Sequence, residues 1–295
     1  MPTGFLLFSL CVPATLLGQE GAATVSARYA ASFTDYGQVH KFDGTLGYRF
    51  NEHIELSAGV PFYLVRSSVT LDETTSQSSS GIGNAYLNLN LAADTSLLRY
   101  WSVASVTAPT GDKSKGFSTG RVTFDWTHGI AKDIGRVTPF VSVGVANAIT
   151  DSPFWIRPFS ALGVNVHAEG GGLVRLGGPI SVGASAYTIQ PTGEQKVYSK
   201  VVHGQAGQGA GASNGQGGAA AAPGLNKRRV FETSAVSTGE SSLTRDNGFS
   251  AWLTARLTQN VTFTAIYSRS RTYALDTFSV GFGLDIGSLI KTRRL

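Results

Sequence analysis

The sequence predicts an all-β protein: a transmembrane antiparallel up-and-down β-barrel of about twelve strands, of the outer-membrane type. Three observations point there. Long segments alternate strictly between apolar and small or polar residues, short turns and long loops are segregated to opposite ends, and amphipathic helical arrays are missing. The segments approach the ~9 to 11 residues of a tilted membrane strand rather than the ~5 to 6 of a globular one.

In chain order the strand-like segments fall near 24–34, 38–50, 53–65, 82–92, 99–108, 119–131, 136–148, 157–168, 178–189, 247–258, 260–272 and 275–287. Each separates two unlike faces. In 53–65, Ile54, Leu56, Ala58, Val60, Phe62 and Leu64 oppose Glu55, Ser57, Gly59 and Tyr63. The run A-Y-L-N-L-N-L (85–91) directs Ala85, Leu87, Leu89 and Leu91 to lipid, and Asn88 and Asn90, with Asn84 before them, to the lumen, where Tyr86 narrows the bore. In 119–131, Val122, Phe124, Trp126 and Ile130 oppose Arg121, Thr123, Asp125 and Thr127. In 247–258, Phe249, Ala251, Leu253, Ala255 and Leu257 oppose Ser250, Trp252, Thr254 and Arg256, and in 275–287, Phe278, Val280, Phe282, Leu284 and Ile286 oppose Thr277, Ser279 and Asp285.

A soluble sandwich also alternates, so the connections decide. One end carries brief links at 51–53, 93–98, 132–136, a Gly-rich turn after Glu169, and 259–260. The other carries 66–80, 110–119 and 190–246, with short turns only near Asp35 and 273–275. That asymmetry with an even strand count is the outer-membrane pattern. Lipid leaves no water for an unpaired backbone, so a spanning sheet must close on itself. Tyr48, Phe50, Phe62, Tyr63, Tyr100, Trp101, Phe154, Trp155 and Tyr273 lie near strand ends, where interfacial girdles are expected.

Composition narrows the function classes. Of 295 residues only 15% are charged, and the net charge of +5 is dispersed rather than gathered into a stripe, so no nucleic acid is expected as a partner. Residues 1–18 read as a signal peptide, with an apolar run from Phe5 to Leu17, and 19–295 as one barrel domain. Removal of the leader would take away Cys11, the single cysteine, leaving no disulfide or thiolate site. The Gly/Ala-rich stretch at 204–224 reads as a disordered external loop, and the basic cluster at 226–229 as a solvated charge patch.

No cofactor or metal is expected: His40, His53, His128, His167 and His203 fall in separate segments without ligand spacing. T-G-D-K-S-K-G (110–116) lacks the spaced glycines of a phosphate loop, and no Gly-x-Ser-x-Gly elbow occurs. The chain is therefore not expected to be an enzyme. A barrel-embedded lipid hydrolase stays open as a third reading, built from His167 with Ser160 or Ser185.

The chemistry sits on the inward face. Alternation assigns Arg28, Asp43, Arg49, Glu55, Asn84, Asn88, Asn90, Arg121, Asp125, Asn165, His167, Arg256 and Asp285 to the lumen. Mixed signs allow pairing along the wall, which limits desolvation cost, and their arrangement would select solutes. The expectation is a monomeric passive channel or uptake protein for small solutes, aromatic or hydrophobic ones among them. Its partners would be outer-membrane lipid, the barrel assembly machinery and the small-molecule solute. A non-conducting structural or surface-display barrel is the alternative.

G-I-G-N-A-Y-L-N-L-N-L (81–91), S-V-A-S-V-T-A-P-T-G-D (102–112) and T-G-R-V-T-F-D-W-T-H-G-I-A-K-D-I-G (119–135) together resemble the outer-membrane family named for the meta-cleavage pathway of phenol degradation. Pro109-Thr110-Gly111-Asp112 is the most specific element. The resemblance implies a barrel of the bacterial outer membrane and a transport role, with no catalytic residues. The chain departs from the family pattern at Asn84, where Asp is common, and in its final K-T-R-R-L.

Overall fold

The computed structural model describes residues 21–35, 37–67, 78–152, 154–202, 231–232 and 234–286. The expected leader and the Gly/Ala-rich stretch at 204–224 lie outside them. Fifteen strands form one sheet. Twelve of them make the wall: β1 (Ala22–Thr34), β2 (Gly37–Arg49), β3 (Ile54–Ser67), β5 (Tyr86–Asp94), β6 (Arg99–Thr107), β7 (Thr123–Ala131), β8 (Val137–Ile149), β9 (Phe159–Gly177), β10 (Ile180–Pro191), β13 (Asp246–Arg256), β14 (Val261–Ser270) and β15 (Leu275–Asp285). Each pairs antiparallel with the next in this order, and β15 pairs with β1 from Thr24 opposite Asp285 to Phe33 opposite Asp276. The twelve wall strands thus form a closed ring, as lipid requires.

The other three strands stand above the wall, at the end with the long connections. β4 (Ser78–Ile82) pairs with the upper part of β3, β11 (Gln195–Ser199) with the start of β9, and β12 (Val236–Gly239) with β11. Between Ala146 and Ala148 the β8–β9 register shifts, and Asn165 fills the break by donating Nδ2 to the carbonyls of Ala146 and Ala148 at 3.4 and 3.1 Å. Past the shift β9 keeps β8 as one neighbour and has β11 in place of β10 as the other.

One expected turn moves. The glycines after Glu169 do not end the strand: Gly170, Gly171 and Gly172 pair with both β8 and β10, and the chain reverses at Gly178, whose φ is +56°. Glycine weakens a strand without breaking it. Here a Cβ at Gly171 would meet the Ala184 carbonyl oxygen at 2.3 Å, so the run permits a close strand approach.

The outer surface is an apolar band that includes Leu46, Val60, Leu87, Leu89, Phe124, Trp126, Val143, Val166, Phe249, Phe278 and Phe282. Polar atoms on this surface are satisfied locally: the Tyr29 hydroxyl meets His40 Nδ1 at 2.8 Å and the Tyr100 hydroxyl meets His128 Nδ1 at 2.6 Å. Tyr48, Phe50, Phe62 and Tyr100 point outward as a girdle would require. Tyr63, Trp101, Trp155 and Tyr273 do not: all are buried inside. Position along a strand suggested the girdle, but parity decides the face, and the parity of Tyr63 and Trp101 is inward.

Candidate functional site: the barrel lumen

The lower lumen is lined by the wall alone. Arg49 on β2 bridges Glu55 on β3 at 3.3 Å and Asp285 on β15 at 3.8 Å. Asn90 stands in register with Glu55, with Asn88 two residues above it on the same face. At the rim, Arg99 pairs with Asp94 and Asp133, and Arg175 with Asp133. Arg256 ends β13 and is exposed there.

Above this level the wall carries apolar side chains that alternation alone did not single out. Phe140, Leu173, Trp252 and Ile266 pack together, with Phe154 brought in from the loop after β8 and Trp101 in contact with Phe140. Glycines make room for the indoles. A Cβ at Gly129 would fall 2.0 Å from the Trp101 ring, and one at Gly183 would fall 2.3 Å from that of Trp252. Tyr86 follows the same rule. It lies over Gly59 and bonds to Asp43 at 2.9 Å and to Thr45 at 2.6 Å, so it rests along the wall instead of narrowing the bore.

Two cavities continue upward. One of about 110 Å³ is bordered by Arg28, Lys41, Asp43, Asn84, Tyr86 and Asn88. Here Arg28 faces Asp43 across the β1–β2 register and Lys41 lies 3.3 Å from Asp43. The other, of about 180 Å³, is bordered by Trp101, Asp125, Trp155, His167, Glu169 and Tyr187, among others. Asn88, Ser105, Thr150, Asp151 and Ser152 border both. His167 Nε2 stands 3.0 Å from Asp125 Oδ2, off line for a well-formed hydrogen bond.

The upper end is filled by loops folded inward. Phe117 stacks on Tyr63 at 5.1 Å, and Ile149, Ile156, Phe159, Val197, Val201, Val202, Phe231 and Tyr273 complete an apolar cluster. Two of the three stretches behind the family resemblance, 81–91 and 102–112, are partners in this architecture. Thr110 Oγ1 donates to the Gly83 carbonyl and accepts from Ala85 N, while Gly111 N donates to Asn84 Oδ1. They fix the loop that delivers Phe117.

Charged groups tie these loops to the wall. Asp151 accepts from Lys200 Nζ at 2.7 Å, from the Tyr63 hydroxyl at 2.6 Å and from Arg157 N at 2.9 Å. Arg157 lies 3.5 Å from Asp246, which also accepts from Tyr187 at 2.7 Å and Ser270 at 2.6 Å. Burial pushes the Asp151 carboxyl up, but the charges of Lys200 and Lys41 and the bonds from Lys200 and Tyr63 outweigh it and leave it below the usual carboxylate value. Burial pulls the Lys200 ammonium below its ordinary value against the opposing pull of Asp151.

Arg28, Asp43, Arg49, Glu55, Asn88, Asn90, Asp125, Asn165, His167 and Asp285 therefore sit on the inner surface of the wall, and Asn84 in the turn above it. Arg121 does not join them, because β7 begins only at Thr123 and leaves it exposed in the preceding loop. Lys41 was legible by parity, whereas Glu169 lies one residue past the expected end of its strand. Asp151 and Lys200 belong to irregular segments that carry no periodicity, and Arg157, expected to open the strand at 157–168, stands just before β9. Neither serine of the hydrolase reading is brought to His167. That residue pairs with Ile189, four residues from Ser185, about 13 Å along the strand, and Ser160 lies further off on β9.

The fold is similar to that of an outer membrane channel from Pseudomonas putida F1, with a TM-score of 0.57 and 12% identity over 90% of this chain and 96% of that one. It is also similar to the NanC porin, with a TM-score of 0.50 and 5% identity over 88% of this chain and 98% of that one. No protein-family model matches the chain, and no curated protein sequence matches it. At these identities the likeness is one of architecture. The chain has the closed twelve-stranded fold of outer-membrane barrels.

Proposed function

We propose that the protein is a passive channel of the bacterial outer membrane that admits small solutes. The observation that carries this reading is the pair of cavities inside the ring, bordered by mixed charges and sharing Asn88, Ser105, Thr150, Asp151 and Ser152 between the loop plug and the open wall below. The likeness in fold to an outer membrane channel and to a porin supports it. The finer reading is that aromatic or hydrophobic solutes are among those admitted. The lumenal patch of Trp101, Phe140, Leu173, Trp252 and Ile266 supports this, as does the resemblance to the phenol meta-pathway family at 81–135. The charged residues that line the wall, Arg28, Asp43, Arg49, Glu55, Asp125 and Asp285, would then set charge selection, with the protein acting as a monomer in lipid after insertion by the assembly machinery.

The test is conductance of the purified, refolded barrel in planar bilayers together with swelling of loaded liposomes. Discrete currents and swelling with small neutral solutes are expected. Silence in both assays would favour the structural or display barrel.

A further inference from the structure

The 180 Å³ cavity has an uneven charge balance. It is bordered by Asp125, Asp151 and Glu169 against Arg157 and His167. Asp151 is paired with Lys200, and Arg157 is held by Asp246 and the Thr150 carbonyl. Glu169 is different. It is only 8% exposed, its polar neighbours are Ser185 and His167, and among the described residues it has no Lys or Arg within ion-pairing distance. Asp125, two strands away on β7, meets His167 and the Thr127 hydroxyl. A buried carboxylate is costly without a compensating cation or donors.

The same cavity is walled by Trp101, Trp155 and Tyr187, the last two with ring centroids 4.5 Å apart. Ring faces attract cations. The volume matches a small ring with a short arm, since a cavity of about 150 Å³ accepts benzene.

We infer that this cavity is a binding site for a small ring-bearing primary ammonium ion, its charge against Glu169 and its ring against Trp155 and Tyr187. An ammonium brings three donors, enough for both carboxylate oxygens of Glu169. A carboxylate solute would meet both acids, whereas a neutral alcohol of the same shape would keep only the ring contacts. The inference rests on the channel reading for access from solution, and it narrows the solute class of that same lumen.

Isothermal titration of the detergent-folded barrel with benzylammonium chloride, benzyl alcohol and sodium benzoate tests it. Benzylammonium should bind saturably and roughly tenfold or more tighter than benzyl alcohol, the loss expected for a charge-assisted hydrogen bond. Benzoate should not bind. Glu169→Gln, which keeps the shape, should weaken benzylammonium by about the same factor and leave benzyl alcohol unchanged. Trp155→Leu should weaken both, and Glu240→Gln, in an upper loop, neither. Each variant is checked for folding by its heat-dependent gel shift. Equal affinity for alcohol and ammonium, a preference for benzoate, or unchanged binding in Glu169→Gln would overturn the inference. Liposome swelling with a neutral sugar is measured in parallel. Binding without any flux keeps the site and ends the channel reading, while flux without ammonium preference does the reverse.

Discussion

The two ends of the lumen solve the problem of buried charge differently. At the lower end Arg49, Glu55 and Asp285 all come from wall strands, so their positions follow from strand register. At the upper end Asp151, Lys200 and Arg157 come from inward-folded loops, where Asp151 reaches Tyr63 and Arg157 reaches Asp246 on the wall. The lower set braces a structure already closed by its backbone. The upper set is what keeps the loops inside, and it governs whether the bore is filled.

The sharpest way to break that contrast is to remove the cation of the upper set. Lys200→Met leaves Asp151 buried without the ammonium it pairs with, and it should destabilise the plug by about 3 to 5 kcal/mol. Single-channel conductance should rise as the loops leave. Pairing it with Asp151→Leu should recover much of the stability, read from the temperature of the gel shift. An unchanged conductance in Lys200→Met would mean that the apolar cluster around Phe117 and Phe159 holds the plug without the ion pairs.

The wall offers the next effect. Leu89 faces lipid and its neighbour Asn88 faces the lumen, so Leu89→Arg should cost about 2 to 4 kcal/mol near the bilayer midplane and Asn88→Arg far less. Refolding titrations in lipid vesicles measure both, and equal costs would mean that the faces are assigned wrongly. Gly129→Val sets a branched side chain where Trp101 lies, with an expected loss of about 1 to 3 kcal/mol and a displaced indole visible in its fluorescence.

Acidification acts on the upper set through Asp151. The folded Asp151 carboxyl lies below its unfolded value, so its contribution is fully present above the ordinary carboxylate range near ~4 and is lost as pH falls through the lowered value. Conductance should stay constant from neutral pH to that range and rise only below it. The smallest effect belongs to the exposed Lys115–Asp112 contact at 4.0 Å, where Lys115→Ala should change stability by less than ~0.5 kcal/mol.

The wall was legible in the sequence because a barrel strand repeats every two residues and lipid leaves no choice about which face is apolar. All twelve wall strands fall where alternation places them, and errors cluster at their ends. β7 starts later than 119, which excluded Arg121, and β9 runs past its glycines, which brought in Glu169. Pairing across strands was not legible. Nothing in the spacing of Gly129 and Trp101, or of Gly183 and Trp252, announces that each glycine is the seat of an indole on the next strand. The plug was least legible of all, since Asp151, Arg157 and Lys200 acquire their meaning only from contacts far along the chain.

The seam between β1 and β15 has a consequence for how the protein is made. It joins the first described strand to the last, and ten residues of each must align before the ring exists. A nascent chain that has released β1 but not β15 carries an open ribbon with two unsatisfied borders, unable to enter hydrocarbon and prone to pair with its own kind. Insertion is therefore a late event, and shortening the chain inside β15 should yield aggregates in place of a smaller pore.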